Sequence, residues 1–408
     1  MKFDIKNDDV LEVLVDLDDC SFDACFCDPP YALKFMGARW DYDLPTVEVW
    51  REVWRILKPG AHLFAYGSTK TVHRLACRIE DAGFHIRDSI GYLYGQGWPK
   101  GANVSKSLDA HLGAEREVVG ESRYAARQTP SNKNTYGSLG KGGELTAPAT
   151  DIAAKFDGYH TELKPAIEPV VVAMKPLDGT YAENAIKWGV AGLNIDGTRI
   201  GDEPRTNDRA SYNASREGMP DDAEPTECEG RFPANIVLDS IAARMLDEQS
   251  GPAGESDSVA RGTFNGVDRT PYHGGEGGAS RFFYTAKASP NERDAGLLAG
   301  DLDKNDHPTV KPVDLNRWLA TMLLPPARDD DPRRLLMPYS GVGSEMIGAM
   351  FAGWDYALGI EFNPSYIDIA RRRLAWWREH GDQAVEVYKA AKKRREREAE
   401  TGQANMFD

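Results

Sequence analysis

The strongest constraint on this chain is an alternation, over residues 1 to about 95, of short apolar runs with segments of helical spacing. Phe22 to Cys27 is an apolar run with one polar break, and it ends in Asp28-Pro29-Pro30-Tyr31. This pattern predicts a buried strand running into a stiff loop. Val47 to Leu57 places apolar residues at helical spacing, and Lys58-Pro59-Gly60 should stop that helix. Ala61 to Tyr66 reads as a second strand. Ser68 or Thr69 can cap a helix through Ala82, with Gly83 as its stop, and Phe84 to Tyr94 reads as a third strand. Such a β-α-β-α-β order predicts a parallel, layered α/β sheet with helices on both faces.

The pattern dissolves beyond residue 97. The stretch from Ser122 to Asp151 is rich in Gly, Ser, Thr and Asn, and 200–230 and 250–280 are again polar and Gly-rich. Ala166 to Met174 returns as a strand, and Tyr181 to Trp188 as a helix. Long loops inside a compact fold point to function or mobility, so 97–300 reads as an insertion, mostly loops with a few strands. Order resumes near Asp306. A helix is expected over Val313 to Leu324, a strand over Arg334 to Pro338 and a helix over Glu345 to Ala352. A strand over Asp355 to Glu361 and a helix over Pro364 to Trp377 complete the series. The charged tail from Lys389 should fray. The expected divisions are therefore 1–96, 97–300, 301–380 and 381–408.

Composition sets bounds on function. The 408 residues carry 64 Asp and Glu against 49 Lys and Arg, a formal net charge of -15. That balance counts against nucleic acid, whose binders usually show a basic footprint. A basic groove can nonetheless sit on an acidic body. No apolar run approaches the roughly 20 residues of a membrane span, and the opening residues lack the apolar core of a secretory signal. The five cysteines form no C-x-x-C pair. A disulfide framework and a zinc knuckle are not expected, and a reducing cytoplasm is.

Three motifs can carry chemistry. Asp28-Pro29-Pro30-Tyr31 stands at the carboxyl end of a strand, the edge where open α/β sheets gather ligands. Two prolines fix the backbone and remove two N–H donors, which leaves carbonyl oxygens free to accept. A carboxylate beside them makes an acceptor-only pocket suited to an uncharged amino group, and Tyr31 offers a flat face to a base. The same residues also serve as ordinary turn punctuation. Pro338 to Ser344 (Pro-Tyr-Ser-Gly-Val-Gly-Ser) joins a strand to a helix, where Gly341 and Gly343 let a ligand approach the backbone. Glu361 ends the next strand and can accept ribose hydroxyls. The dinucleotide fingerprint needs a third glycine, and Met346 stands in its place. An adenosyl ligand without a pyrophosphate is thus favoured over NAD. In His307-Pro308-Thr309-Val310-Lys311-Pro312 two prolines stiffen a loop bearing a hydroxyl and an ammonium, suited to a carboxylate or simply to a rigid helix entry. His62, His73 and His85 have no ligand spacing, and Cys25 and Cys27 alternate along one strand as space fillers. No metal site is expected.

Together the motifs resemble the DNA amino-methyltransferases that use S-adenosylmethionine, in the permuted order called the β class. In that order D-P-P-Y comes first, the target-recognition region next and the cofactor motif last. The family's loop is written F-x-G-x-G after Asp-Pro; here Met337 replaces the Asp and Tyr339 the Phe. Asn7 to Leu14 looks like the family's G-D-x-L-E-V-L opening. Asn363-Pro364-Ser365-Tyr366 and Ala370 to Leu374 match its ending. Three further segments, Gly95 to Lys100, Lys164 to Pro169 and Arg281 to Lys287, look like parts of phage and prophage adenine methylases. The resemblance implies a Rossmann-like methyltransferase sheet and transfer of a methyl group to adenine N6 in double-stranded DNA. Asp28, Pro29, Pro30 and Tyr31 would be the catalytic set. The cofactor residues would be Asp9 for adenine, Glu361 for ribose and Thr309 with Lys311 for the carboxylate. Ser340, Gly341, Gly343 and Ser344 would lie along its methionine part. Residues 1–96 would be the catalytic half, 97–300 would hold target recognition and 301–380 would be the cofactor half. A cytosine-N4 enzyme and an inactive DNA-binding relative remain open alternatives, as do a homodimer and a partner nuclease of a restriction-modification pair.

Overall fold

The computed structural model describes residues 1–33, 41–95, 97, 101–121, 144–207, 226–252, 263–264, 267–268, 277–286, 289, 291–297, 304–307, 309–329 and 331–404. Parts of the expected segments Gly95 to Lys100 and Arg281 to Lys287 lie outside them, as do Pro308 and most of Ser122 to Asp151. Among the described residues no helix is long and apolar enough to cross a membrane.

The main sheet is built from β1 (Lys2–Lys6), β2 (Phe22–Cys27), β3 (Leu57–Tyr66), β4 (His85–Leu93), β5 (Ile167–Met174), β6 (Ile236–Asp239), β7 (Tyr284–Ala286), β8 (Arg334–Pro338) and β9 (Tyr356–Ile360). They lie in the order β1-β9-β8-β2-β3-β5-β4-β6-β7. The described helices that pack around this sheet include α1 (Val10–Val15), α2 (Val47–Ile56), α3 (Val72–Asp81), α4 (Tyr181–Trp188), α5 (Ser240–Ser250), α6 (Val313–Leu323), α7 (Ser344–Ala352), α8 (Pro364–His380) and α9 (Ala384–Ala404). The expected α/β class is observed.

Every residue of β2 is buried, which requires cover on both faces of the sheet. The period of two sorts its side chains. Ala24 and Phe26 join Phe64, Tyr66, Leu335 and Met337 in one core with Leu319 of α6, Ile347 of α7 and Leu374 of α8. Cys25 and Cys27 point the other way and are equally buried, as space fillers would be.

The structure departs from expectation in three places. Lys58-Pro59-Gly60 follows the end of α2 at Ile56 as expected, but strand β3 already begins at Leu57, ahead of the expected Ala61, and runs through these three residues. Gly60 has φ +77°, and an added Cβ would lie 2.4 Å from Asn184 Nδ2. A glycine with this backbone bends the strand without ending it. Three strands of the segment 97–300, among the few expected there, belong to the main sheet. One of them, β5, is antiparallel to both β3 and β4 in an otherwise parallel sheet. Its direction follows from Leu93 pairing with Ile167: the chain leaves and re-enters at the same edge, so β5 must run back. The tail forms α9 instead of fraying, because Ala384 and Tyr388 are buried in the main core.

Contacts divide the described chain into two compact units. One comprises 1–31, 43–95 and 167–408, and the other 32–42 and 96–166. In the second unit a helix over Val104–Leu112 is capped by Asn103, whose side chain accepts from the Lys106 N–H. Buried Asp109 there accepts from Arg116, from the Ala149 N–H and from the Thr150 hydroxyl.

Asp23 clips the amino edge of the main sheet. Its side chain is fully buried, with Lys58 Nζ at 2.8 Å, Arg328 Nη2 at 2.8 Å and the Arg334 N–H at 2.7 Å. β2, β3 and β8 are thereby joined at one carboxylate. Removing one partner of a buried ion pair strands the others. Asp23→Ala is expected to lower the unfolding free energy by about 3 kcal/mol, read from urea denaturation. A loss within about 0.5 kcal/mol, the range of ordinary surface changes, would show that the clip contributes little.

Candidate active site

The sheet order reverses between β8 and β2. From β8 the chain passes through α7 to β9 on one side, and from β2 through α2 to β3 on the other. Parallel registers Leu335–Ala24 and Leu336–Cys25 bring β8 and β2 to the same carboxyl edge. A crevice at such a reversal is the ordinary ligand position of an open α/β sheet. Two of the three sequence motifs follow directly from these strand ends: Asp28 to Tyr31 after β2, and Tyr339 to Gly343 after β8.

The second motif forms a left-handed turn. Tyr339, Gly341 and Gly343 have φ of +63°, +49° and +77°. For Tyr339 this is a strained conformation that the surroundings must hold. A Cβ on Gly343, the residue before α7, would approach the Ala370 Cβ to 3.2 Å. Glu361, just beyond β9, ties the turn to the next loop. Its Oε2 accepts from the Gly341 N–H at 3.0 Å and its Oε1 from the Asn363 N–H at 2.7 Å. Burial raises its pKa. The Ser344 hydroxyl accepts from Arg373 Nη1 at 2.9 Å, and the same nitrogen donates to the Val342 carbonyl at 2.7 Å. Ser340 Oγ is buried with no hydrogen-bond partner. Asp9 is exposed and caps α1 by accepting from the Leu11 N–H. Asn7 Nδ2 donates to the Glu361 and Phe362 carbonyls, which fastens β1's exit to β9's.

The third motif lies over the second. An added Cβ at Gly341 would sit 3.3 Å from His307 Nε2. The His307 ring meets Tyr366 edge-on at 4.7 Å, and burial pushes its pKa down to about 4, so it is neutral near pH 7. Arg293 Nη2 holds this strap through the Asn305 and His307 carbonyls. Thr309 is exposed, and its N–H faces His307 Nδ1 at 3.4 Å.

Lys311 reaches the first motif. Its Nζ donates to Asp28 Oδ2 at 2.7 Å and stands 3.2 Å from Glu168 Oε1. Tyr31 Oη lies 2.6 Å from Asp28 Oδ1 and 2.8 Å from the same Glu168 oxygen. Four side chains thus close a ring of two carboxylates, one ammonium and one phenol. The ammonium also lies 4.9 Å from the centre of the Tyr66 ring. Burial opposes its charge, yet Asp28 and Glu168 more than offset this and raise its pKa. Burial, then the charges of Asp28 and Glu168, push the Tyr31 phenol well up. The sequence suggested a free Lys311 ammonium for a carboxylate ligand; in the structure it is engaged with Asp28 and Glu168.

Several residues of this region escaped the sequence reading. Glu168 is the one acid inside the apolar run Ala166 to Met174, and Arg373 stands beside Leu374 on the buried face of α8. Glu345 is the sole charge in α7. Each was visible as an ionisable residue where the pattern demands an apolar one. Arg373 is fully buried, which brings its pKa down to about 10.

No family model matches the chain, and no curated protein does. Solved structures that resemble it include the M1.HpyAVI–SAM complex, at 13% identity and TM-score 0.39 over 91% of this chain and 100% of that one. A putative DNA modification methylase from Thermus thermophilus, complexed with S-adenosyl-L-methionine, matches at 14% identity and TM-score 0.37 over 91% and 92%. The cytosine-N4-specific PvuII DNA methyltransferase matches at 12% identity and TM-score 0.42 over 97% and 92%. Likeness of this size assigns no function to the chain.

Glu345 and Glu292 are both pushed up to about 7, chiefly by burial. Both bind a proton more tightly folded than unfolded. Their stabilising contribution is complete below about pH 4.5 and is lost as pH rises to about 7. Glu345→Gln cannot ionise. Between pH 5 and pH 8 the wild type should lose about 2 kcal/mol more unfolding free energy than this variant. Parallel stability–pH curves in urea titrations would contradict it.

Proposed function

We propose that the chain transfers a methyl group from S-adenosylmethionine to an exocyclic amino nitrogen of double-stranded DNA, namely N6 of adenine. One observation carries this reading. The acceptor pocket at Asp28 and the glycine turn at Gly341 share one sheet edge, and the strap His307–Lys311 touches both.

The residues present fit such a cofactor. Ser340 offers a buried hydroxyl without a partner, and an added Cβ at Gly341 or Gly343 would crowd His307 at 3.3 Å or Ala370 at 3.2 Å. Each Glu361 oxygen takes one backbone N–H and keeps a lone pair for a ribose hydroxyl. In this reading Asp9 serves the adenine, Thr309 the carboxylate, and Ser340, Gly341, Gly343 and Ser344 the methionine part. Lys311 serves Asp28 instead, given its 2.7 Å bond. The cofactor, when bound, supplies a methyl group activated by a positive sulfur.

The chain's own residues hold and polarise the acceptor. A target base leaves the duplex at a cost of a few kcal/mol, and the Tyr31 ring stacks on it. Asp28 accepts one amino hydrogen and the Pro29 carbonyl the other, which draws electron density onto the nitrogen. The Asp28 oxygens each accept one bond already, from Tyr31 and Lys311, and a carboxylate has about four acceptor positions. Pro30 withholds an N–H that would compete. Catalysis of this kind is mainly positioning and electrostatics, and the reading uses no metal.

Labelled S-adenosylmethionine and unmethylated plasmid DNA, followed by mass analysis of the nucleosides, test the proposal. N6-methyladenine is the expected product. N4-methylcytosine would change the target base, and no methyl transfer with no calorimetric binding of the cofactor would overturn the reading. Asp28→Ala should lower transfer by about a hundredfold or more while cofactor binding changes little.

A further inference from the structure

A single phenol hydrogen cannot serve two carboxylates at once. Tyr31 Oη lies within hydrogen-bond distance of Asp28 Oδ1 (2.6 Å) and Glu168 Oε1 (2.8 Å). When its O–H points at Glu168, the short contact to Asp28 is favourable only if Asp28 carries a proton and donates it to the phenol oxygen. The ring is thus built to share one more proton than its resting charges provide. Two carboxylates and one ammonium carry a net charge of -1, and one added proton makes the cluster neutral. Low local polarity strengthens the tendency toward neutrality.

Resting on the methyltransferase reading, we propose that Glu168 is the terminal acceptor of the proton released from the methylated amine, reached through Tyr31. The balance is simple. After methyl transfer the amine nitrogen is cationic and carries one hydrogen too many. Its N–H bond breaks as an O–H bond forms on Asp28. Asp28 Oδ1 passes that hydrogen to Tyr31 Oη, and Tyr31 passes its own to Glu168 Oε1. Asp28 returns to the carboxylate form and Tyr31 to the phenol. The Glu168 side chain is 21% exposed against 12% for Asp28, so it is the better exit to water. Lys311 holds both carboxylates in place and is already protonated, so it cannot take the proton. Other ionisable groups facing the ring are Glu345 of α7, His307 of the strap, Tyr66 of β3 and, in and just beyond β4, Tyr92 and Tyr94.

Groups that act as one chain are non-additive when removed. The test uses the full-length protein, labelled S-adenosylmethionine and unmethylated plasmid DNA, with kcat and KM measured in the steady state. Tyr31→Phe and Glu168→Gln should each lower kcat about tenfold with KM for DNA within about twofold. The double variant should also fall about tenfold rather than about a hundredfold. Glu168→Asp keeps an acceptor and should recover part of the loss, which a merely structural role would not require. Should Glu168→Gln fail to fold, by thermal melting, Tyr31→Phe and Glu168→Asp with their double variant give the same comparison. Multiplying losses, or a folded Glu168→Gln with kcat within twofold of wild type, would overturn the relay. A wild type that transfers no methyl group fails the function reading itself, before any variant is compared.

Discussion

One ion pair organises the carboxyl edge of this protein. Lys311 and Asp28 are far apart in sequence, yet their side chains meet at 2.7 Å, and Glu168 from a third part of the chain joins them. A buried ammonium is costly unless carboxylates surround it. The strap before α6, the loop after β2 and the start of β5 therefore cannot take up independent positions. Their mutual fit depends in turn on the parallel pairing of β8 with β2, which is where the sheet order reverses. The meeting of these side chains is a consequence of topology, because the loops that leave neighbouring strands at this edge lie side by side.

Much of this was legible in the sequence, for physical reasons that can be stated. Helix α4 could be read from its ends, since Thr180 and Glu183 form a capping box and Gly189 takes the left-handed conformation that closes it. Strand β8 and helix α7 are marked by the glycines between them. The β-α-β order of β2 and β3 told both their burial and their parallel sense. Nothing in Ala166 to Met174 says that β5 runs backwards, because a strand buried on both faces has no preferred sense in its own residues. Direction is set by where the chain comes from, and that is a fact about the whole fold. Lys58-Pro59-Gly60 marked the end of α2 but hid the start of β3, because the pairing of Leu57 with Phe22 that draws these residues into the sheet is a long-range contact.

The site was legible in part. Asp28, Tyr31, Gly341, Gly343 and Glu361 could be named because strand ends and glycines advertise themselves. What the sequence hid was partnership. Lys311 looked like a free cation in a proline-stiffened loop. Glu168 and Arg373 stood inside segments that resemble the family, and Glu345 at a helix start, with no role assigned to any of them. Lys311, Glu345 and Arg373 are buried and Glu168 half-buried, each beside at least one of the others, so their charges must be balanced together. Such balances are properties of three-dimensional proximity, so no local window of sequence displays them.

The backward course of β5 has an implication of its own. Because Leu93 and Ile167 are paired neighbours, everything between them is spliced into the sheet at a single seam. Loop-closure entropy grows only with the logarithm of length, so doubling that excursion would cost about 0.6 kcal/mol. Segments of very different size could be exchanged there while the strands on either side keep their register. The fold thus lets the segment between β4 and β5 vary in length without disturbing the pairing of the two strands it joins.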